Sequence, residues 1–117
     1  MRIYLAGPMR GYPEFNFPLF HKVAKVLRDC GNEVFNPAER DEKAHGEDLV
    51  KGTAGDLSEI PEFSLREALA EDLSWICRHA DAVALLPGWE QSRGATAERA
   101  TGKALGLTIV EIGEDWI

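Results

Sequence analysis

Basic residues are scarce in this chain: 13 Lys and Arg stand against 20 Asp and Glu, for a net charge of −7. A surface of that sign repels polymeric nucleic acid, whose binding requires phosphate neutralisation. A single nucleotide stays open as a ligand, because one or two placed donors hold one phosphate. Cysteine is scarcer still, at two residues, Cys30 and Cys77, with no CxxC motif. The three histidines, His21, His45 and His79, fall at no ligand spacing. A disulfide scaffold and a zinc site are therefore not expected, and the thiols read as reduced. No apolar run approaches the roughly 20 residues of a membrane span. Met1-Arg2 leads directly into a short apolar stretch rather than a leader, so a cytoplasmic protein is expected.

What is present is enough for a core. Hydrophobic residues make up 44% of 117. A chain of this length buries roughly 65% of its unfolded surface, and residues 1–117 read as one domain. Residues 3–6 form an apolar run closed by Gly7-Pro8, the pattern of a buried first strand. Asn16 stands where it can cap a helix, Pro18 suits that helix's first turn, and Phe17, Phe20, Val23, Ala24 and Leu27 recur at helical spacing. Gly31 ends that helix, and residues 33–35 make a brief second strand before Asn36-Pro37. Residues 38–61 are charged, contain Gly46, Gly52 and Gly55, and keep no sustained period. They read as a long loop, either a lid or a solvated insertion. A helix over 61–79, a strand over 81–86, a helix over 94–105 and a strand over 107–112 complete the chain. This β-α-β-loop-α-β-α-β order implies a mostly parallel sheet with helices on both faces.

Two carboxylates fall where the pattern does not call for them. On the helix over 61–79 the apolar stripe is Leu65, Ala68, Leu69, Leu73 and Ile76, and Asp72 lies within it. A core-facing carboxylate is costly unless it is paired or used. At the stripe's end it would simply reach solvent or an arginine. Glu98 opens the next helix, just past a buried strand, among Gly94, Ala95 and Ala97, which leave room for a ligand. Ligands of α/β proteins bind at the carboxyl ends of parallel strands. First-turn N–H groups favour an ionised Glu98 there, a candidate nucleophile; an ordinary helix-start glutamate would look the same. Ser92 and Arg93 with backbone N–H groups suit an anion. Tyr4, near the end of the first strand, is placed to approach Glu98 if strands 1 and 3 are neighbours, or else is a core aromatic. Arg10 alone reads as a surface charge. Trp89 is a weak candidate for stacking a base.

Taken together these segments resemble the nucleoside 2-deoxyribosyltransferase-like superfamily over nearly the whole chain. The matching pieces are Tyr4-Leu5-Ala6-Gly7-Pro8-Met9-Arg10-Gly11, Glu71-Asp72-Leu73, Asp81-Ala82-Val83-Ala84-Leu85-Leu86, and Ser92-Arg93-Gly94-Ala95-Thr96-Ala97-Glu98 with Gly102-Lys103-Ala104-Leu105-Gly106. Each is loose, but their order and spacing together are fairly specific. The start also looks like compact members found in phages and bacteria. The resemblance implies a Rossmann-like (flavodoxin-like) three-layer α/β sandwich of four to five mostly parallel strands in the order 2-1-3-4. It implies Glu98 as nucleophile, Asp72 as proton donor to the leaving base and Tyr4 as the group orienting Glu98. Six residues before the nucleophile, transferases acting on free nucleosides carry an Asp, whereas the 2′-deoxynucleoside 5′-phosphate N-hydrolases carry a Ser that binds phosphate. This chain has Ser92, and like that branch it carries Arg10-Gly11 after the first strand. Gly7, Arg10, Gly11, Ser92, Arg93 and Gly94 are accordingly the expected phosphate and substrate contacts.

The expectation from this resemblance is cleavage of the N-glycosidic bond of a (deoxy)nucleoside 5′-monophosphate, through a glycosyl ester on Glu98, without metal or organic cofactor. The alternatives are base exchange by a 2-deoxyribosyltransferase and a nucleotide-binding or sensing module without turnover. A homo-oligomer, a dimer in the simplest case, is implied. Family members extend beyond the last strand with a segment that completes a neighbour's site. Either residues 38–61 complete it here, or the site is degenerate.

Overall fold

The computed structural model describes residues 1–116. Strand β1 (Arg2–Ala6) is followed by helix α1 (Phe17–Asp29), strand β2 (Glu33–Phe35), and helix α2 (Pro37–His45). Helix α3 (Leu65–His79), strand β3 (Ala82–Leu85), helix α4 (Arg93–Ala104) and strand β4 (Thr108–Glu111) complete the order. Short 3-10 turns lie at Pro13–Asn16, Leu57–Glu59, Trp89–Gln91 and Glu114–Trp116. The four strands form one all-parallel sheet in the order β2-β1-β3-β4, so the Rossmann-like three-layer fold and its expected strand order hold. Tyr4 pairs with Val83 and with Phe35, which sets β1 between β2 and β3 at the sheet's centre.

Both faces of the central strands are covered, which is why they read as nearly continuous apolar runs. Ile3, Leu5, Ala82, Ala84 and Leu86 pack with the α1 residues Phe20, Val23, Ala24 and Leu27. The alternate residues Tyr4, Ala6, Val83 and Leu85 pack with Ile76 of α3 and Ala95 of α4. This two-residue alternation puts Tyr4 on the α3/α4 side of the sheet. No described helix is long and apolar enough to cross a membrane.

Residues 38–61 differ from the expected loop. Asn36 caps α2 by accepting from the Ala38 N–H at 3.0 Å, Pro37 fills the first helical position, and the chain leaves the helix at Gly46 with φ +105°. These are ordinary helix start and stop signals. They were obscured because α2 buries only Pro37, Ala38 and Asp41, too few to show a period. Later in the segment, Asp56 and Glu59 form a capping box around the turn Leu57–Glu59. Val50 and Ile60 are buried in the α1-side core. The segment is thus largely docked wall rather than open loop.

It is fastened to the strand-1 loop. The Gly11 N–H donates to the Gly55 carbonyl at 2.9 Å, the Glu14 N–H to the Thr53 carbonyl at 3.0 Å, and the Gly52 N–H to Glu14 Oε2 at 3.0 Å. Glu14, Phe15 and Asn16 all hold left-handed φ values of 53°, 54° and 63°, which turns Phe15 into the core. The same backbone takes the Asn16 side chain away from the helix it was expected to cap. Its Nδ2 donates instead to the Pro8 carbonyl at 3.0 Å, and α1 starts without a side-chain cap. Gly55 at φ +88° is required by contact as well as by conformation: a Cβ there would sit 2.7 Å from the Tyr12 N and 2.8 Å from the Gly11 N.

Candidate active site

The carboxyl ends of β1 and β3 open into a cavity of about 180 Å³. Four elements deliver its polar groups. Strand β1 supplies Tyr4, fully buried, with its ring stacked on Phe35 at 5.4 Å and tilted against Trp75 at 6.5 Å. This clamp leaves the phenol one direction, and Tyr4 Oη donates to Glu98 Oε2 at 2.7 Å. Helix α4 supplies Glu98 and α3 supplies Asp72, both buried. Helix α2 supplies Arg40, whose Nη1 donates to Asp72 Oδ1 at 2.7 Å and whose Nε donates to Asp41 Oδ1 at 2.7 Å. The guanidinium also lies 5.8 Å from the centroid of the Phe35 ring.

Burial raises the pKa of Asp72, opposed by the Arg40 cation and by hydrogen bonds from Glu98 and Tyr4. Burial first, and the Asp72 charge second, hold Glu98 well above its ordinary value, with Tyr4 opposing. The two carboxyl groups interact, and they titrate as a pair. The cation sits on Asp72, so of the two Glu98 holds a proton more strongly. This reverses the expectation of an ionised Glu98 favoured by the helix start. Glu98 is the sixth residue of α4. The field of a helix terminus fades beyond the first turn, whereas desolvation acts in full. Tyr4 itself, buried beside both carboxyl groups, has its pKa raised well above 10 and stays a donor.

Ser92, Gly94, Gly7 and the exposed Arg10 line the same cavity. Ser92 caps α4: its Oγ accepts from the Ala95 N–H at 3.1 Å and keeps its own hydrogen to donate. Arg93 is exposed at the helix start and is not on the cavity wall. Gly11 likewise stays off the wall and serves the backbone contact to Gly55. Trp89 is not placed to stack a base there. Its Nε1 donates to Glu111 at 3.1 Å and Arg99 lies 4.9 Å over its ring, against the β4 edge. The aromatic walls are instead Tyr12, Phe15, Phe17, Phe20 and Phe63.

Arg40 and Asp41 were missed from sequence, along with the wall residues Leu49, Val50, Leu57 and Ile60. The signal available was the Asn36-Pro37 helix start, which would have placed an Arg-Asp pair on a helix following the edge strand. Among the described residues no group of three or more His, Cys, Asp and Glu side chains is placed to hold a metal ion.

A family model described as a domain of unknown function (DUF4406) matches residues 1–111 of the chain. No curated protein and no solved structure matches it.

Proposed function

The chain belongs to the DUF4406 family, and from the geometry of its cavity we propose that it cleaves the N-glycosidic bond of a nucleoside 5′-monophosphate through a glycosyl ester on Glu98. The observation that carries this reading is the Tyr4–Glu98 hydrogen bond of 2.7 Å beside Asp72 at the polar end of an otherwise apolar cavity. Two carboxyl groups with unequal proton affinity are the equipment of glycoside-type cleavage with retention.

Tyr4 occupies Oε2 of Glu98, which leaves Oε1 to react. When substrate enters, the proton shared by the pair moves to Asp72 and Glu98 becomes the anion. Glu98 Oε1 bonds to C1′ as the bond from C1′ to the base nitrogen breaks. That electron pair leaves with the base, and Asp72 gives it the proton. Asp72, now a carboxylate steadied by Arg40, takes a proton from water. The hydroxide oxygen bonds to C1′ and releases Glu98. The sum is nucleotide plus water giving free base plus sugar phosphate. The Ser92 hydroxyl, the N–H groups at the start of α4 and the Arg10 cation suit a 5′-phosphate, which an aspartate at position 92 would repel.

The test is base release from a panel of deoxy- and ribonucleosides and their 5′-monophosphates. Release from monophosphates, reduced by several orders of magnitude in Glu98→Ala, is expected. Undiminished release by that variant would overturn the assignment. Release that requires an added acceptor base would make the protein a transferase. A nucleotide binder without turnover is the second reading, favoured by the burial that raises the proton affinity of Glu98. Nucleotide binding with no base released over long incubation would select it.

A further inference from the structure

Asp41 has no part in the chemistry above, yet it is 4% exposed and on the cavity wall. Its Oδ1 accepts from Arg40 Nε at 2.7 Å. No hydrogen bond reaches its Oδ2 from the described residues, and no fully buried side-chain oxygen among them lacks a partner. Oδ2 therefore keeps some exposure, on a residue that lines the cavity. The other charged groups there are accounted for: Arg40 bridges Asp41 and Asp72, Glu98 faces Tyr4 and Asp72, and Arg10 is exposed at the rim. The remaining wall is apolar and aromatic, with Phe17, Ile60 and Phe63 among its members. A largely apolar and aromatic cavity with a free acceptor apart from the reacting pair suits an aromatic ring that carries an N–H donor.

We propose that Asp41 selects the base, accepting a hydrogen bond at Oδ2 from an exocyclic amino group and so favouring cytosine and adenine over uracil and hypoxanthine. This rests on the reading of the cavity as a nucleotide site. Arg40 ties the selecting carboxylate to the reacting one, since it bonds Asp41 and Asp72 together. A base whose glycosidic nitrogen meets Asp72 thus lies in the same cavity as Asp41. Burial pushes the Asp41 carboxyl up to about 6, so above pH 7 it is mostly the anion. An anion accepts from an amino group and repels the carbonyl oxygen that replaces it in the oxo bases.

The experiment measures dissociation constants of dCMP against dUMP and dAMP against dIMP at pH 7.5, in Glu98→Gln protein so that nothing turns over. The amino member of each pair is expected to bind at least about tenfold more tightly. Asp41→Asn in the same background keeps the shape and adds a donor, so the preference should vanish or invert. Asp41→Ser, which removes the carboxylate altogether, should lose the preference without inverting it. Equal binding within both pairs, a preference unchanged in either variant, or no binding of any of the four would overturn the proposal. Base release by the wild type with no Asp41-dependent preference would remove this proposal and leave the reaction standing. An Asp41-dependent preference without base release would do the reverse.

Discussion

Glu98 and Asp72 show how far a single residue can be read. Each was visible because a carboxylate on a small or apolar helix face lacks a packing reason. Neither residue's protonation was visible, because burial sets it first and Arg40 and Tyr4 oppose it from other elements. Tyr4 is a positioning residue, and Tyr4→Phe tests that role. The substitution keeps the ring on Phe35 and removes the one group that lowers the proton affinity of Glu98 alongside Arg40. The reacting anion becomes harder to form. We expect kcat to fall about tenfold to a hundredfold. The descending limb of the pH–rate profile, where the pair loses its last proton from Glu98, should move to higher pH. A fall in rate with an unmoved profile would show that Tyr4 acts through packing alone.

At the scale of the element, α4 illustrates a conflict between propensity and packing. Gly102 lies inside the helix, where alanine would ordinarily gain about 1 kcal/mol. A Cβ at that position would sit 2.8 Å from Val83 Cγ2 and 3.2 Å from Ile109 Cδ1. Val83 is fully buried in β3, so the helix would have to move away from the sheet. Overpacking of this kind costs about 1–3 kcal/mol. Gly102→Ala is therefore expected to lower the urea midpoint, with a net loss of about 1 kcal/mol. A raised midpoint would mean that the helix can shift freely on the strand. The helices α1, α3 and α4 could be placed from sequence because their periods and ends are strong. Helix α2 could not: its nine residues bury mainly one end and one acid, so amphipathic pattern is missing.

For the whole molecule, the buried acids fix how stability responds to pH. Asp41 is raised to about 6, and Glu98 is held well above its ordinary value. In the unfolded chain such groups titrate near 3.9 and 4.3. Above about pH 4 these two groups consequently bind more protons in the folded protein than in the unfolded one, and their contribution to stability falls as pH rises. The decline from Asp41 is complete a little above pH 6 and is of order 3 kcal/mol. Glu98 extends it to higher pH. Glu98→Gln cannot ionise and keeps an acceptor for Tyr4. It is expected to match the wild type near pH 4 and to exceed it at pH 8, measured as unfolding free energy in urea. A wild type more stable at pH 8 than the Glu98→Gln variant would show that Glu98 is ionised without strain in the folded state.

The sequence by itself determined the layers of this protein. Unbroken apolar strands alternating with amphipathic helices call for a parallel sheet covered on both faces, and the family resemblance supplied the expected strand order. It also marked Tyr4, Asp72 and Glu98, since their positions follow from strand and helix periods. Only the tertiary structure decided which groups meet them. Arg40 reaches Asp72 across 32 positions of chain and Tyr4 reaches Glu98 across 94. Contacts of that span leave no periodic trace, and the proton they share goes to whichever carboxyl group burial isolates most and a cation relieves least.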